Sequence, residues 1–286
     1  KFMAFKSSKA RSLRLPPGSC DCHFHIFDQS RYPYAAERGY TPPDATLADY
    51  QELRDDWGID RAILVHPSVF GSDHQSFEAL LGAHSDWLRG VAVAFPQTSD
   101  EQIARWHALG SRGSRINALN AGGPGLSAMH TLVDKIRPHG WHLQLLIDLQ
   151  QTPHLPEQVA DLGVQVVVDH MGHHPVPELL QSPGFTRLCS LLKEGRAWVK
   201  LSAPYRLSGA HPSYTDLRPL VDALLQANPK RLVWGTDWPH PASPFPVPED
   251  EHLMARVFDW LPDAALRQQV LVDNPTALYW QDTLTP

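Results

Sequence analysis

Residues 20–27 read C-D-C-H-F-H-I-F, an apolar run with His23 and His25 two positions apart. Side chains along a β-strand alternate between its faces, so residues two apart share one. Read as a strand, the stretch aims both imidazoles the same way. Cys20 and Cys22, out of step with them, are expected to face away and to pack. Three strings of similar build follow: L-V-H-P-S at 64–68, V-D-H-M-G-H at 168–173 and W-G-T-D-W-P-H at 234–240. Each ends or follows an apolar run, so each marks the end of a strand.

Between these strings, strand-like runs alternate with helical periods along the whole chain. Strands are expected at 20–27, 60–67, 88–95, 113–119, 141–148, 164–170, 197–202 and 231–237. Helices are expected at 46–57, 75–87, 100–109, 126–136, 155–162, 185–194, 216–227, 249–260 and 263–280. Near-continuously apolar strands are buried on both faces, and their alternation with helices is the pattern of a (β/α)₈ barrel. A doubly wound open sheet would favour a glycine-rich phosphate turn after the first strand, and the sequence has none there. No linker or composition shift divides the 286 residues. The expectation is an α/β protein: one TIM-barrel domain over 1–286, with 1–18 as a peripheral arm.

Composition narrows the function. A net charge of −6 and a pI near 6.2 provide no basic field for nucleic acid or anionic lipid. Cys20, Cys22 and Cys189 make no paired framework, no apolar stretch reaches membrane length, and the basic N-terminus lacks a signal-peptide core. A cytoplasmic protein without membrane or nucleic-acid partners is expected.

In a barrel the chemistry sits at the C-terminal ends of the strands. The first and eighth strands are neighbours once the barrel closes, so His23, His25 and Asp237 can meet, with His170 facing them across the mouth. Imidazoles and a carboxylate converging from separate strands activate water, with or without a metal. Asp169, next to His170, is expected to point the other way and anchor a loop or helix. Further polar groups at strand ends are candidates for reading a substrate: Arg115 and Asn117 on the fourth strand, Tyr205 and Arg206 after the seventh, Ser68 after the second, His173 after the sixth, and Tyr40 on the first long loop. A guanidinium fork matches a carboxylate, so two converging arginines would suit an anion.

H-F-H on the first strand, D-H-M-G on the sixth and G-T-D-W-P-H on the eighth resemble the amidohydrolase superfamily. The closer likeness is to its lactonase branch, which includes 2-pyrone-4,6-dicarboxylate hydrolase, and it runs from Asp21 to N-P-T-A-L-Y at 274–279. The resemblance implies a hydrolase that opens a small anionic lactone, with Asp237 as general base and His23, His25 and His170 holding the carbonyl or a divalent metal such as zinc. No organic cofactor is implied. A carboxylate base predicts a rate that falls as the pH drops through the ordinary carboxylate range.

The sequence departs from the superfamily's zinc enzymes in one place. They usually carry a histidine at the end of the fifth strand, where this chain has L-L-I-D; its His142 lies at the strand's other end. The metal set is thus His23, His25 and Asp237, with His170 as a fourth, and metal is expected to be dispensable. Lys200 is on the seventh strand, not the fourth, which disfavours a binuclear site bridged by a carboxylated lysine. Where a pyrone-dicarboxylate enzyme is expected to have an arginine after D-H-M-G, this chain has His173. The competing readings are a metal-dependent non-oxidative decarboxylase of the same superfamily and a barrel that has lost activity and only binds.

Overall fold

The computed structural model describes residues 13–284. Eight parallel strands run in sequence order around one sheet: β1 (Cys20–Phe24), β2 (Arg61–Val65), β3 (Leu88–Ala92), β4 (Ser111–Asn117), β5 (His142–Leu146), β6 (Val166–Val168), β7 (Ala197–Leu201) and β8 (Leu232–Trp234). The helices between them include α1 (Leu47–Trp57), α2 (Gln75–Ala83), α3 (Asp100–Leu109) and α4 (Met129–Ile136). This is the single-domain TIM barrel expected from the sequence. No helix among the described residues is long and apolar enough to cross a membrane.

Local chemistry sets the boundaries. Thr46 caps α1, accepting from the Asp49 amide while the Asp49 carboxylate accepts from the Thr46 amide, and Gly58 ends the helix at φ 74°. Ser99 caps α3, which spans the ten residues read from the sequence. Every strand ends earlier than expected, because its last residues leave the ladder to build the mouth of the barrel. The closing segment, expected as one helix over 263–280, divides into a short helix at Ala264–Gln268, a π turn at Gln269–Asp273 and a last helix at Asn274–Tyr279. A short helix at Val176–Leu180 has no counterpart among the expected ones. Of the expected arm, residues 1–12 lie outside the described residues. Leu15 is buried, and its amide donates to the Trp57 carbonyl.

Two apolar layers follow from the strand alternation. Outward-facing residues such as Leu64, Ile116, Leu145 and Val199 pack with the surrounding helices. Cys20, Cys22, Ile63, Val65, Val91, Val167, Trp198 and Val233 fill the barrel with Tyr279 and Trp280 of the C-terminal segment. The cysteines pack, as expected, but they do not face away from the histidines. The β1–β2 register shifts between Asp21 and Phe24, so Cys22 and His23 together stand opposite the single residue Ile63. That bulge puts both on the interior side.

Beyond β8 the seam to β1 is closed without a regular ladder. Asp237 N–H donates to the His23 carbonyl and His25 N–H to that of Trp238. Asp21, fully buried on the outer face, ties the seam: Oδ1 accepts from the amides of His23 and Thr236, and Oδ2 from the hydroxyls of Thr236 and Tyr50. Burial raises the pKa of this carboxyl to about 6 against those hydrogen bonds. Removing four buried acceptor contacts at once should be costly. Asp21→Ala is expected to lose about 3 kcal/mol or more of unfolding free energy. A urea melt that shows a loss under about 1 kcal/mol would remove Asp21 as the tie.

Candidate active site

The mouth of the barrel brings His23, His25, His170 and Asp237 together, all buried. Two of these sit in left-handed backbone, His170 at φ 51° and Asp237 at φ 56°. Such conformations cost about 1–3 kcal/mol each and persist where the surroundings over-determine them. Gly235 has a steric reason to be glycine: a Cβ there would lie 2.7 Å from the His23 Cβ and 2.8 Å from its backbone nitrogen.

The two carboxylate oxygens of Asp237 have separate surroundings. Oδ2 accepts from the Tyr205 hydroxyl and from Nε and Nη2 of Arg206, each at 3.1 Å. Oδ1 faces Nε2 of His23, His25 and His170 at 3.6, 3.7 and 3.7 Å. Burial alone would raise the carboxyl, but the Arg206 guanidinium beside it holds it well below the usual range. This corrects the expected pH response, because the carboxylate stays ionised below the pH at which an ordinary aspartate would take its proton. The imidazoles stay neutral. Burial, then the neighbouring Lys200, pushes His23 down to about 3, and burial likewise lowers His25 and His170.

The hydrogen-bond partners of the rings differ. His25 Nδ1 lies 2.8 Å from the Val65 carbonyl, which only accepts, so neutral His25 carries its proton there and shows a lone pair at Nε2. His170 Nδ1 meets the Ser202 hydroxyl at 2.7 Å, a group that serves either tautomer. His23 Nδ1 meets the Lys200 ammonium at 3.1 Å.

Beneath these groups lies a buried charged cluster. Asp169 does not anchor a loop or helix, contrary to expectation. It opens the turn after β6 and points into the barrel, where its Oδ2 accepts from Arg115 Nε and Gln144 Nε2, both at 3.1 Å. Its Oδ1 lies 3.5 Å from Lys200 Nζ. Burial would raise this carboxyl, but the Lys200 ammonium and the Arg115 guanidinium lower it well below the usual range. Lys200 and Gln144 were not foreseen as site residues. A lysine in mid-strand, within A-W-V-K-L, was the available signal, since an unpaired ammonium is rarely buried.

A cavity of about 160 Å³ opens over the cluster, room for one substituted ring. Of the candidate substrate-reading residues, Arg115, Asn117, Tyr40, His173 and Arg206 line it. Tyr205 and Ser68 do not. Tyr205 is fully buried behind Asp237, its hydroxyl also near His240 Nδ1, and Ser68 is buried in the turn after β2. Tyr205 thus holds Asp237, while the buried Ser68 hydroxyl has no hydrogen-bond partner. Asn117 Oδ1 accepts from the amides of Leu119 and Asn120, which leaves its N–H₂ as the free end. The lining is therefore rich in donors. Leu146 and Pro241, Ala242 and Pro244 of the loop after β8 complete it and had no sequence signal.

One atom each from His23, His25 and Asp237 lie within 4.8 Å of one another, so this group could hold a metal ion. The distances from Asp237 Oδ1 to the two imidazoles, 3.6 and 3.7 Å, approach the roughly 3.4 Å between ligands of a tetrahedral zinc with bonds of about 2.0–2.1 Å. His25 has the right tautomer for a ligand. A ligating His23 would need a proton on Nδ1 and an acceptor for it, and the group within hydrogen-bond reach is a donor, Lys200. The spacing fits a cation and the surroundings of His23 do not.

Comparison with known proteins gives one family. The amidohydrolase family profile matches residues 20–280. The chain is 32% identical over 282 residues to a 2-pyrone-4,6-dicarboxylate hydrolase of Comamonas testosteroni, covering 94% of this chain and 92% of that protein. It is 33% identical over 276 residues to a 4-sulfomuconolactone hydrolase of Hydrogenophaga intermedia, covering 93% and 90%. In structure it is similar to a probable 2-pyrone-4,6-dicarboxylic acid hydrolase of Acinetobacter baumannii with citric acid bound, at a TM-score of 0.80 and 25% identity over 92% of this chain and 99% of that one. A mouth of three histidines and one aspartate, in a barrel matched from its first strand to its last helix, thus agrees with the sequence comparison: the chain belongs to the amidohydrolase family.

Proposed function

We propose that this protein hydrolyses a small carboxylated lactone, with Asp237 as general base. The observation that carries the reading is the division of Asp237: Oδ2 is held by three donors, and Oδ1 is free to face the histidines at the cavity floor. Oδ1 and the His25 Nε2 lone pair are both acceptors and together suit the two protons of a water molecule. The water oxygen attacks the lactone carbonyl while its proton passes to Oδ1. His23 and His170 face the carbonyl oxygen, where charge develops. The acyl–oxygen bond of the ring then breaks, and the departing enolate or alkoxide takes the proton back from Asp237. A carboxylate held this far down is a weak base, so proton transfer must accompany C–O bond formation and not precede it.

Arg115 and Arg206 bring two guanidinium groups to the cavity wall, which favours an anionic substrate. The relatives' named substrates, a pyrone dicarboxylate and a sulfonated muconolactone, are of that class. The decarboxylase reading needs a firmly held metal, and β5 ends at Leu146 without a histidine to supply another ligand. A screen of dicarboxylate and sugar-acid lactones, followed by proton release, tests the proposal. No release above background from any anionic lactone would overturn it.

Metal is not required in this mechanism. Prolonged chelation is expected to leave most of the turnover intact. Complete loss, restored by one zinc per chain, would refute that expectation. The free enzyme's kcat/KM should show neither a carboxylate limb down to about pH 4 nor an imidazole limb near 6.5, because Asp237 is held ionised and the histidines are held neutral. A rate halved at about pH 6.5 would assign the proton to an imidazole.

A further inference from the structure

We propose that Lys200 is a positioning residue that fixes His23 as the Nε2–H tautomer, so that His23 meets the site as a hydrogen-bond donor and not as a metal ligand. An ammonium has three protons and no lone pair. Lys200 Nζ has three acceptors within hydrogen-bond reach: the Cys22 carbonyl at 2.9 Å, Gln144 Oε1 at 2.8 Å and His23 Nδ1 at 3.1 Å. The orientation of Gln144 is fixed independently, because its Nε2 donates to Asp169 Oδ2. Its Oε1 is therefore the end that Lys200 meets. The three protons and three acceptors match, and the third proton belongs to His23 Nδ1.

The competing arrangement puts a proton on Nδ1 and gives it to Asp169 Oδ1. That oxygen is 3.6 Å away, beyond a hydrogen bond, and makes none in this structure. The ring's other nitrogen, Nε2, is buried without a hydrogen-bond partner and stands 3.6 Å from Asp237 Oδ1. A donor fixed there, beside the cavity-lining Asp237 and unpaired before substrate arrives, is what a developing oxyanion requires. The role at the carbonyl rests on the lactone reading; the tautomer does not.

The arrangement also divides labour between histidines that the sequence presents as equals. The Val65 carbonyl makes His25 an acceptor, while the Lys200 ammonium makes His23 a donor. One of them holds the water and the other the carbonyl oxygen.

The direct test is a long-range ¹H–¹⁵N spectrum of the wild-type protein labelled at histidine nitrogen, with His23 assigned by its loss in His23→Gln. The expected pattern is a protonated Nε2 and a bare Nδ1. A proton on Nδ1 overturns the proposal, whatever the substrate proves to be. A second measurement compares zinc affinity of wild type and Lys200→Met by competition with a chelating dye. Relieved of the ammonium, His23 can turn Nδ1–H toward Asp169, and zinc should bind about 10–100-fold tighter, the range of such outer contacts. Equal affinities in a folded Lys200→Met overturn the proposal, and if that variant does not fold the wild-type spectrum still decides. On a lactone turned over by the wild type, kcat of Lys200→Met should fall about 10²-fold with KM within threefold. Lys200→Gln, whose amide can still donate to Nδ1, should recover at least part of that loss. A Lys200→Gln no better than Lys200→Met would leave Lys200 a structural ion and overturn its positioning role. Absence of any turnover in wild type bears on the lactone reading alone, since spectrum and zinc titration need no substrate.

Discussion

Asp237→Asn is expected to fold normally and to lose at least about 10³-fold in kcat. The reason goes beyond a weaker base. Tyr205 and Arg206 present three donors to the Oδ2 position, so the asparagine must place its carbonyl oxygen there. Its N–H₂ is then forced into the Oδ1 position, facing the histidines. The atom that should accept a proton from water becomes a donor that repels it. Proton-release kinetics measures the loss, and near-ultraviolet circular dichroism checks the fold. Activity within about tenfold of wild type would remove Asp237 as the base.

Arg206→Met is expected to change both kinetic constants, in ways that separate two roles. Nε and Nη2 hold Asp237, and Nη2 also donates to the Pro241 carbonyl, which leaves Nη1 for a substrate carboxylate. Loss of the grip on Asp237 should lower kcat about 10²-fold on charged and neutral lactones alike. Loss of the remaining donor should raise KM about tenfold for a carboxylated lactone and hardly at all for a neutral one. Removing the cation that lowers Asp237 must also raise its pKa, so the carboxylate limb of the rate should appear at a higher pH in the variant than in wild type. An unchanged kcat would end the positioning role, and equal KM effects on both substrates would end the carboxylate clamp.

The fold was legible because it rests on local patterns. Apolar runs, helix caps and the order of strands and helices are written in neighbouring residues, and α3 came out to the residue. His23, His25, His170 and Asp237 were legible because strand ends carry barrel chemistry, so position along the chain stands in for position in space. Asp169 was misread because alternation was extended past Val168, where the chain has already left the ladder and entered a turn. Tyr205 was assigned to the wall because sequence shows that it follows β7 but not that the next turn tucks it behind Asp237. The sequence weighs Lys200 only as a bridging metal ligand and Gln144 not at all, for a different reason. Their meaning as site residues comes from partners 177 and 25 residues away.

The bulge in β1 bears on how portable this site is. Below it, Cys20 and Cys22 keep the pleat that fills the barrel; above it, Phe24 and His25 keep a pleat shifted by one residue. The strand is in effect two registers spliced at a single extra residue, each serving a different tenant. Transplanting only the two histidines onto the straight first strand of another barrel would therefore bring imidazoles without their footing. The carbonyl of Cys22, which receives Lys200, would stand in the wrong place. A working graft has to carry the insertion with the histidines, and a deletion at residue 22 should disable the site more thoroughly than replacement of that cysteine.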